Sequence, residues 1–400
     1  MGGKGRVGGE IQKKFFLQKF IDPHPQFKLI FELPPPDPTQ PLAIASLSSW
    51  ISLFPGSLFF LLSGFCKKMA SGSRLEERKR ILAESLPFDA LENPLWRKKE
   101  EVSVKEMITK ILQYHKDWNE KKKHDYDKEL VENVYKDFLG NFIFHVNREE
   151  GSGFSTFEET DTFLRSCYVS GYFKRSFSSK AEQETVNLKD AYEHLLGKIK
   201  REEESSDYGL MEASLLQETH RILMKDILLP KGKTRPGEFS NKRRYTQFKG
   251  EEYNYPEPPD MNKAVVHLLD WCNNLFDRCI KDGLKDFDDF YCLFKTCALM
   301  HFELLDLHPF SDGNRRLGLI LCSYLLSTFT PFPTPVYNVW TDSCKDDYKQ
   351  ALVDARKDKQ RHPKALTTMI IECNYHGWKR FFKTLDEKKK LMESINAEEK

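Results

Sequence analysis

From residue 126 onward the chain is written almost entirely in the helical period, and this most narrows what it can fold into. YDKELVENVYKDFLGNFIFHV places apolar residues at 126, 130, 131, 134, 135, 138, 139, 142, 143 and 146, a continuous stripe along one side of a helix. The glycines of NREEGSG stop it. Ser155, with Glu158 three residues on, reads as a capping box that opens the next helix. Further helical spacing covers about 182–200, 210–227, 259–280, 287–307, 314–328, 345–357 and 363–390. One region departs from it. Residues 229–260 have prolines at their edges, and RRYTQF and EEYNY flank a Lys-Gly turn, which reads as a short hairpin. A lone two-stranded hairpin is marginal by itself, so this one is expected to lie over something. The fold class is therefore mainly α, a helical core with one β-hairpin flap.

Length and charge exclude some function classes. Four hundred residues suffice for a sizeable core. Charged residues make up 30% of the chain but the formal net charge is only +2, which gives no bulk electrostatic reason to expect a nucleic acid partner. Nine cysteines show no C-x-x-C pair and mostly sit in apolar periodic runs, as buried reduced thiols do. The eleven histidines lack zinc-ligand spacing. No N-x-S/T sequon is present, which disfavours passage through a secretory lumen.

Residues 1–68 form a variable N-terminal segment of different composition. GKGRVG (3–8) matches G-x-G-x-x-G in letters but has neither a strand before it nor a helix after it. Gly2 raises myristoylation, yet Arg6 stands where Ser or Thr is required. The uncharged stretch 41–66 is long enough to span a bilayer, although Pro55-Gly56 interrupts it. Three readings stay open: an anchor whose following Lys/Arg cluster faces the cytoplasm, an apolar segment that does not span, or a natural start at Met69. In each of them the body of the chain is cytoplasmic. A helical region at 69–124 then precedes the main domain at 125–390. KREEESSD (200–207) reads as a solvated linker, KRR (242–244) as exposed charge able to attract an acidic target, and TPFPTPVYN (330–338) as a rigid connection.

The chemistry concentrates in HPFSDGNRRLG (308–318). An amphipathic helix, 291–307, delivers His308 into a loop, and GNRRLGLILCSYLL begins another helix at about Gly313 or Asn314. The first turn of a helix carries free N–H groups and the positive end of a dipole, a ready anion site. Gly313 lets backbone approach a phosphate closely. Asp312 offers a hard oxygen to Mg²⁺. His308 has the one unperturbed pKa suited to taking a hydroxyl proton near neutrality.

HPFSDGN followed by arginine resembles the active-site motif of Fic (Fido-fold) proteins, and the resemblance extends over roughly 125–385. It implies His308 as base, Asp312 as the Mg²⁺ ligand, Gly313, Asn314, Arg315 and Arg316 around the phosphates of ATP, and Phe310 supporting the motif. His301 fits the family's upstream histidine. The flap at 229–260 would dock a target protein. FHVNREEGSGFSTFEET (144–160) resembles the helix and turn of self-inhibited members, with Glu150-Gly151 as the inhibitory pair at the end of an inhibitory-type helix 125–151. Most members transfer AMP from ATP to a hydroxyl of a protein. A homodimer stays open.

Two departures bear on activity. Arg315 stands where most members have a second glycine, and Leu319 where they have the arginine that grips the terminal phosphate and pairs with the inhibitory glutamate. Val146 replaces the usual Ser or Thr of the inhibitory motif. The Doc branch, with Lys and Leu at the positions of Arg315 and Leu319, binds ATP inverted and transfers the terminal phosphate. Three functions follow from the resemblance: a self-inhibited protein adenylyltransferase acting on Ser, Thr or Tyr, a Doc-like phosphotransferase, and an inactive nucleotide-binding or interaction module. A buried Glu150 facing Leu319 would be unpaired at a cost of several kcal/mol if ionised. Either Glu150 is solvated and no longer inhibits, or Arg315 supplies the missing guanidinium from the next turn; the second is the expectation. Tyr348 is read as a core residue near the base.

Overall fold

Ten helices and one hairpin account for the chain where the computed structural model describes it: residues 86, 88–90, 94–97, 102–124, 127–170, 177–202, 211–280 and 283–398. In order these are α1 (Val104–His124), α2 (Lys128–Glu149), α3 (Phe157–Ser170), α4 (Lys180–Glu202), α5 (Ala213–Leu223), β1 (Tyr245–Phe248), β2 (Glu251–Asn254), α6 (Met261–Ile280), α7 (Phe287–Leu307), α8 (Asn314–Leu326), α9 (Lys345–Lys357) and α10 (Lys364–Glu398). The readings made for 1–68, for most of 69–103 and for most of 200–207 lie outside the described residues. Among the described residues no helix is long and apolar enough to cross a membrane.

The apolar stripe of α2 is buried at Leu130, Val134, Phe138, Leu139, Phe142, Ile143 and Val146, so Val146 is a packing residue here. The helix opens on Asp127, whose carboxylate accepts from Leu130 N at 3.0 Å. It closes at Glu150, and Gly151 follows with φ +66, a left-handed turn that glycine adopts without strain. The capping box of α3 sits one residue later than the spacing suggested. Thr156, not Ser155, accepts from Glu159 N at 3.2 Å, and Glu159 returns a carboxylate to Thr156 N at 3.1 Å. Ser155 and Thr156 are adjacent hydroxyls, each followed three residues on by a glutamate, so the spacing rule alone could not separate them.

Helix α7 is the axis of the core. It packs against α1, α6, α8 and α10, while α8 also packs against α2, α4 and α5. Every residue of α8 is buried except Arg315. Such a helix has no solvated face, which is why its sequence shows apolar letters nearly all round. The hairpin pairs antiparallel, Tyr245 opposite Asn254 and Phe248 opposite Glu251. It does not stand alone. Tyr253 Oη donates to Asp306 at 2.7 Å, the Arg356 guanidinium lies 3.9 Å from the Tyr253 ring, and Lys249 Nζ donates to Gln350 at 2.8 Å. These contacts tie the flap to the end of α7 and to α9.

Asp286 starts α7 with a full capping box, Asp289 N donating to Asp286 at 3.1 Å and Asp286 N to Asp289 at 3.3 Å. Replacing Asp286 with Ala should therefore cost about 1 kcal/mol of stability. A thermal melt of the Asp286→Ala chain should show a midpoint lower by a few degrees; an unchanged midpoint would mean the cap contributes nothing.

Candidate active site

Between α7 and α8 the chain must reverse within six residues, and positive φ angles at both ends do this. His308 caps α7 with φ +50 and ψ +57, and Gly313 precedes α8 with φ +72. At Gly313 an added Cβ would sit 2.8 Å from Met224 Sδ and 3.3 Å from His220 Nε2, so glycine is required for space as well as for its dihedral. Asn314 staples the loop. Its side chain accepts from Phe310 N at 2.9 Å and donates to Phe310 O at 2.8 Å. The Asn314 amide is thereby used within the loop, and what it leaves for an anion is the free backbone N–H of the first helical turn.

A second support comes from α5. The His220 ring stacks on Phe310 with centroids 3.8 Å apart and planes at 7°. Gly237 N donates to His220 Nδ1 at 2.9 Å, which requires Nδ1 to be unprotonated and places the proton on Nε2, 3.0 Å from Asp312 O. The leader of the flap adds Ser240 N donating to Pro309 O at 2.7 Å, Lys233 Nζ to Ser311 O at 2.8 Å, and Thr234 N to Ser311 Oγ at 3.1 Å. Sequence reasoning missed His220. It sits at a core-facing position of an amphipathic helix, and nothing in its neighbours announces a contact 92 residues away.

His308 is largely enclosed. The Tyr255 ring, just beyond β2, stacks on it at 3.9 Å with planes at 12°. His308 Nδ1 lies 3.4 Å from Leu305 O, which leaves Nε2 as the nitrogen able to take a proton. Its pKa is not the unperturbed value expected from sequence. Burial pushes it down to about 4; the Leu305 carbonyl opposes this, and Arg244, Arg315 and Arg356 add to it. The ring is neutral at pH 7 with its lone pair free. His301 is buried, with Nε2 2.7 Å from Tyr348 Oη, so Tyr348 is a core residue bonded to a core histidine.

Arg315 is the one side chain of α8 that reaches outward, and it meets Glu150, Nη1 to Oε1 at 2.7 Å. The contact is a close ion pair and not an aligned hydrogen bond, since Glu150 Oε1 has no hydrogen-bond partner. Burial raises the Glu150 pKa, against the opposing pull of Arg315, Lys345 and Arg316. Leu319 is buried, and no charge is supplied from there. Next to Glu150, Glu149 is held by Asn338 Nδ2 at 2.9 Å and by Tyr337 Oη at 3.4 Å. The end of α2 is thus gripped by adjacent glutamates pointing to different parts of the fold. Arg316 turns the other way, buried against Met224 Sδ at 3.2 Å, with Nη1 left without a hydrogen-bond partner.

Asp312, Gly313, Asn314, Arg315, His308 and Glu150 all line one cleft of about 820 Å³ beneath the flap. Its other charged lining residues are cationic, among them Lys231, Lys233, Lys242, Arg244, Lys345 and Arg356, against the two carboxylates of Glu150 and Asp312. Such a cleft focuses a positive field suited to a polyanion. Asp312 is exposed, with one carboxylate oxygen accepting from Gly313 N at 2.7 Å. Among the described residues no group of three or more His, Cys, Asp or Glu could hold a metal ion. One carboxylate at the mouth of a phosphate site still fits Mg²⁺, which usually takes one or two carboxylates and completes its shell with phosphate oxygens and water.

Residues 210–326 match the Fic/DOC family. A Fido domain-containing protein of Dictyostelium discoideum is 27% identical over 96 residues, 23% of this chain and 64% of that protein. A protein of Ostreid herpesvirus 1 named ribonucleoside-diphosphate reductase small chain is 31% identical over 132 residues, 32% of this chain and 21% of that protein. The chain thus spans less than two thirds of either relative. In fold it is similar to a Fic domain-containing signaling protein of Bacteroides thetaiotaomicron (TM-score 0.51, 16% identity, covering 70% of this chain and 97% of that one). It is similar also to Fic-1 of C. elegans (TM-score 0.50, 15% identity, covering 71% and 73%).

His115, His220, His301 and His308 are all lowered to about 4, with burial the largest cause for each. Their folded values lie below the ordinary 6.5, so the unfolded chain binds protons more readily. The stability associated with these neutral rings is complete above 6.5 and is lost as pH falls toward 4. Thermal midpoints should be lower at pH 5 than at pH 7.5; equal midpoints would show that the rings do not titrate this way.

Proposed function

We propose that this chain, which carries a Fic/DOC-family domain over residues 210–326, is a protein adenylyltransferase restrained by its own Glu150. Proteins of this family are typically transferases. The observation that carries the reading is the Arg315–Glu150 pair, set at the first turn of α8 beside His308 and Asp312 in one cationic cleft. Arg315 offers the guanidinium that Leu319 lacks, and Glu150 occupies it.

The residues divide the work as follows. The first-turn N–H groups of α8 and the Arg315 guanidinium hold the phosphates of ATP. Asp312 would hold Mg²⁺, which when bound neutralises phosphate charge and withdraws electron density from phosphorus. A Ser, Thr or Tyr hydroxyl of the target loses its proton to His308 Nε2 as its oxygen bonds to the α-phosphorus. The bond to the bridging oxygen breaks, and pyrophosphate leaves with the electron pair. Each flap strand has an edge unpaired within the two-stranded sheet, where an extended target segment can add as a further strand.

Arg315 and the buried Leu319 also favour a second reading, in which the terminal phosphate faces the hydroxyl and the same His308 serves a phosphotransferase. The full chain given Mg²⁺ and ATP, labelled separately at the α- or γ-phosphate, decides between them. Label from the α position alone, absent in His308→Ala, is the expected result; label from the γ position alone establishes the phosphotransferase, and none from either leaves a binding module. Glu150→Gly should raise the rate about tenfold or more, the size of a typical coupling free energy. Glu149→Ala, which loosens the end of α2 and leaves Glu150 in place, should raise it by less. A Glu149→Ala rate equal to wild type would mean the Asn338 and Tyr337 contacts do not hold the restraint.

The lowered His308 pKa sets the pH profile of kcat/KM, which reports the free enzyme. The acid limb should fall near pH 4, where the ring protonates and ceases to be a base. An acid limb centred at 6.5 would contradict the buried, arginine-flanked environment.

A further inference from the structure

The turn between α6 and α7 brings the last residues of one helix beside the first turns of the next. There Cys279 and Cys292 are in sulfur contact, Cys279 Sγ–H donating to Cys292 Sγ at 3.3 Å. Cys279 is buried and Cys292 half-buried, so one thiol is protected and the other is reachable from solvent. Thr296 Oγ1 lies 3.6 Å from Cys279 Sγ. The remaining described thiols are buried, apart from the exposed Cys344. Neither cysteine belongs to the cleft.

This arrangement has the parts of a dithiol redox pair. The Cys279 donor and the Lys295 ammonium both favour a thiolate on Cys292 and lower its pKa, while the same contact raises that of Cys279. The low-pKa thiol is the reachable one, and a resolving thiol is already against it. A disulfide needs sulfurs about 2.05 Å apart, and these two, now 3.3 Å apart, must close that gap by side-chain rotation. The 13-residue separation gives a short loop, closed across two helices that are already packed together.

We propose that Cys279 and Cys292 form a reversible intramolecular disulfide that links α6 to α7, a redox site separate from the transfer site. With a hydroperoxide as oxidant, the Cys292 thiolate attacks the terminal peroxide oxygen. The O–O bond breaks, Cys292 becomes a sulfenic acid, and the other oxygen leaves as an alkoxide or hydroxide that takes up a proton. Cys279 then attacks the Cys292 sulfur, its proton passing to the departing hydroxide, which leaves as water. Two thiols have lost two electrons and two protons, and the peroxide has been reduced to two molecules of water or to one of water and one of alcohol.

The test treats the full chain, folded and reduced, with hydrogen peroxide. Free thiols are then alkylated before unfolding, and the chain is digested without reductant for mass spectrometry. The expected result is a linked pair of peptides joining Cys279 to Cys292, lacking two hydrogens and released by dithiothreitol. In Cys279→Ser the link is absent and Cys292 advances to the sulfinic or sulfonic acid. Cys279→Ala serves as a second variant if the first does not fold, and the wild-type linkage stands without either. Both thiols recovered as alkylated peptides after peroxide, Cys292 over-oxidised in wild type with Cys279 free, or a link from either to another cysteine would each overturn the proposal.

Discussion

Everything at the cleft depends on one tight reversal between α7 and α8 having a single shape. The bond pair from Asn314 to both backbone groups of Phe310, with the Phe310 ring laid flat on His220, fixes it. Two left-handed residues, His308 and Gly313, are held at its ends, and a non-glycine residue in that conformation is costly unless its surroundings over-determine it. They do so here. Tyr255 covers the His308 ring, His220 holds the Asp312 carbonyl, and the flap leader bonds Pro309 and Ser311. His308, the Asp312 carboxylate and the N-terminus of α8 are thus placed by the same few contacts. A loop fixed this way presents its groups without further ordering when a substrate arrives, which is what preorganisation requires.

Charge decides what the fixed loop can do. Arg315 is the single outward-facing side chain on an otherwise buried helix, and it emerges where that helix's dipole is positive. A second guanidinium would repel it, and a phosphate would stabilise it. In this structure a carboxylate from the end of another helix does so. Glu150 is enclosed enough that losing its partner would be costly, and Arg315 is enclosed enough that an anion must replace Glu150 if Glu150 moves. The pair is therefore an exchange point between an internal anion and an external one. Glu149, one residue earlier, is held by Asn338 and Tyr337 and anchors the end of α2 on which Glu150 sits.

How much of this was legible in the sequence follows from the range of each interaction. Helix spans came through well, because a periodic stripe is a local signal; α7 and α9 start and end where the spacing places them. The hairpin was legible from its turn residues. The capping box of α3 was off by one, since Ser155 and Thr156 offer the same hydroxyl and only geometry chooses between them. At the site, the motif located the loop, and the absence of an arginine at 319 located the partner of Glu150. The sequence did not show that Asn314 spends its amide on Phe310, that Arg316 turns into the core, or that His308 is depressed to about 4. Those facts arise largely from Tyr255, His220, Met224, Arg244 and Arg356, which come to the loop from other parts of the chain and leave no mark beside it.

In the proposed function, Glu150 acts on the transfer site through Arg315. A double-mutant cycle on ATP-dependent transfer by the full chain, using Glu150→Gly, Arg315→Gly and the two combined, measures this coupling directly. Glu150→Gly is expected to raise the rate in the Arg315 background and to have little effect once Arg315 is Gly, a strongly non-additive cycle. Equal activation by Glu150→Gly in both backgrounds would contradict it and leave the observed ion pair as a structural contact without a regulatory role.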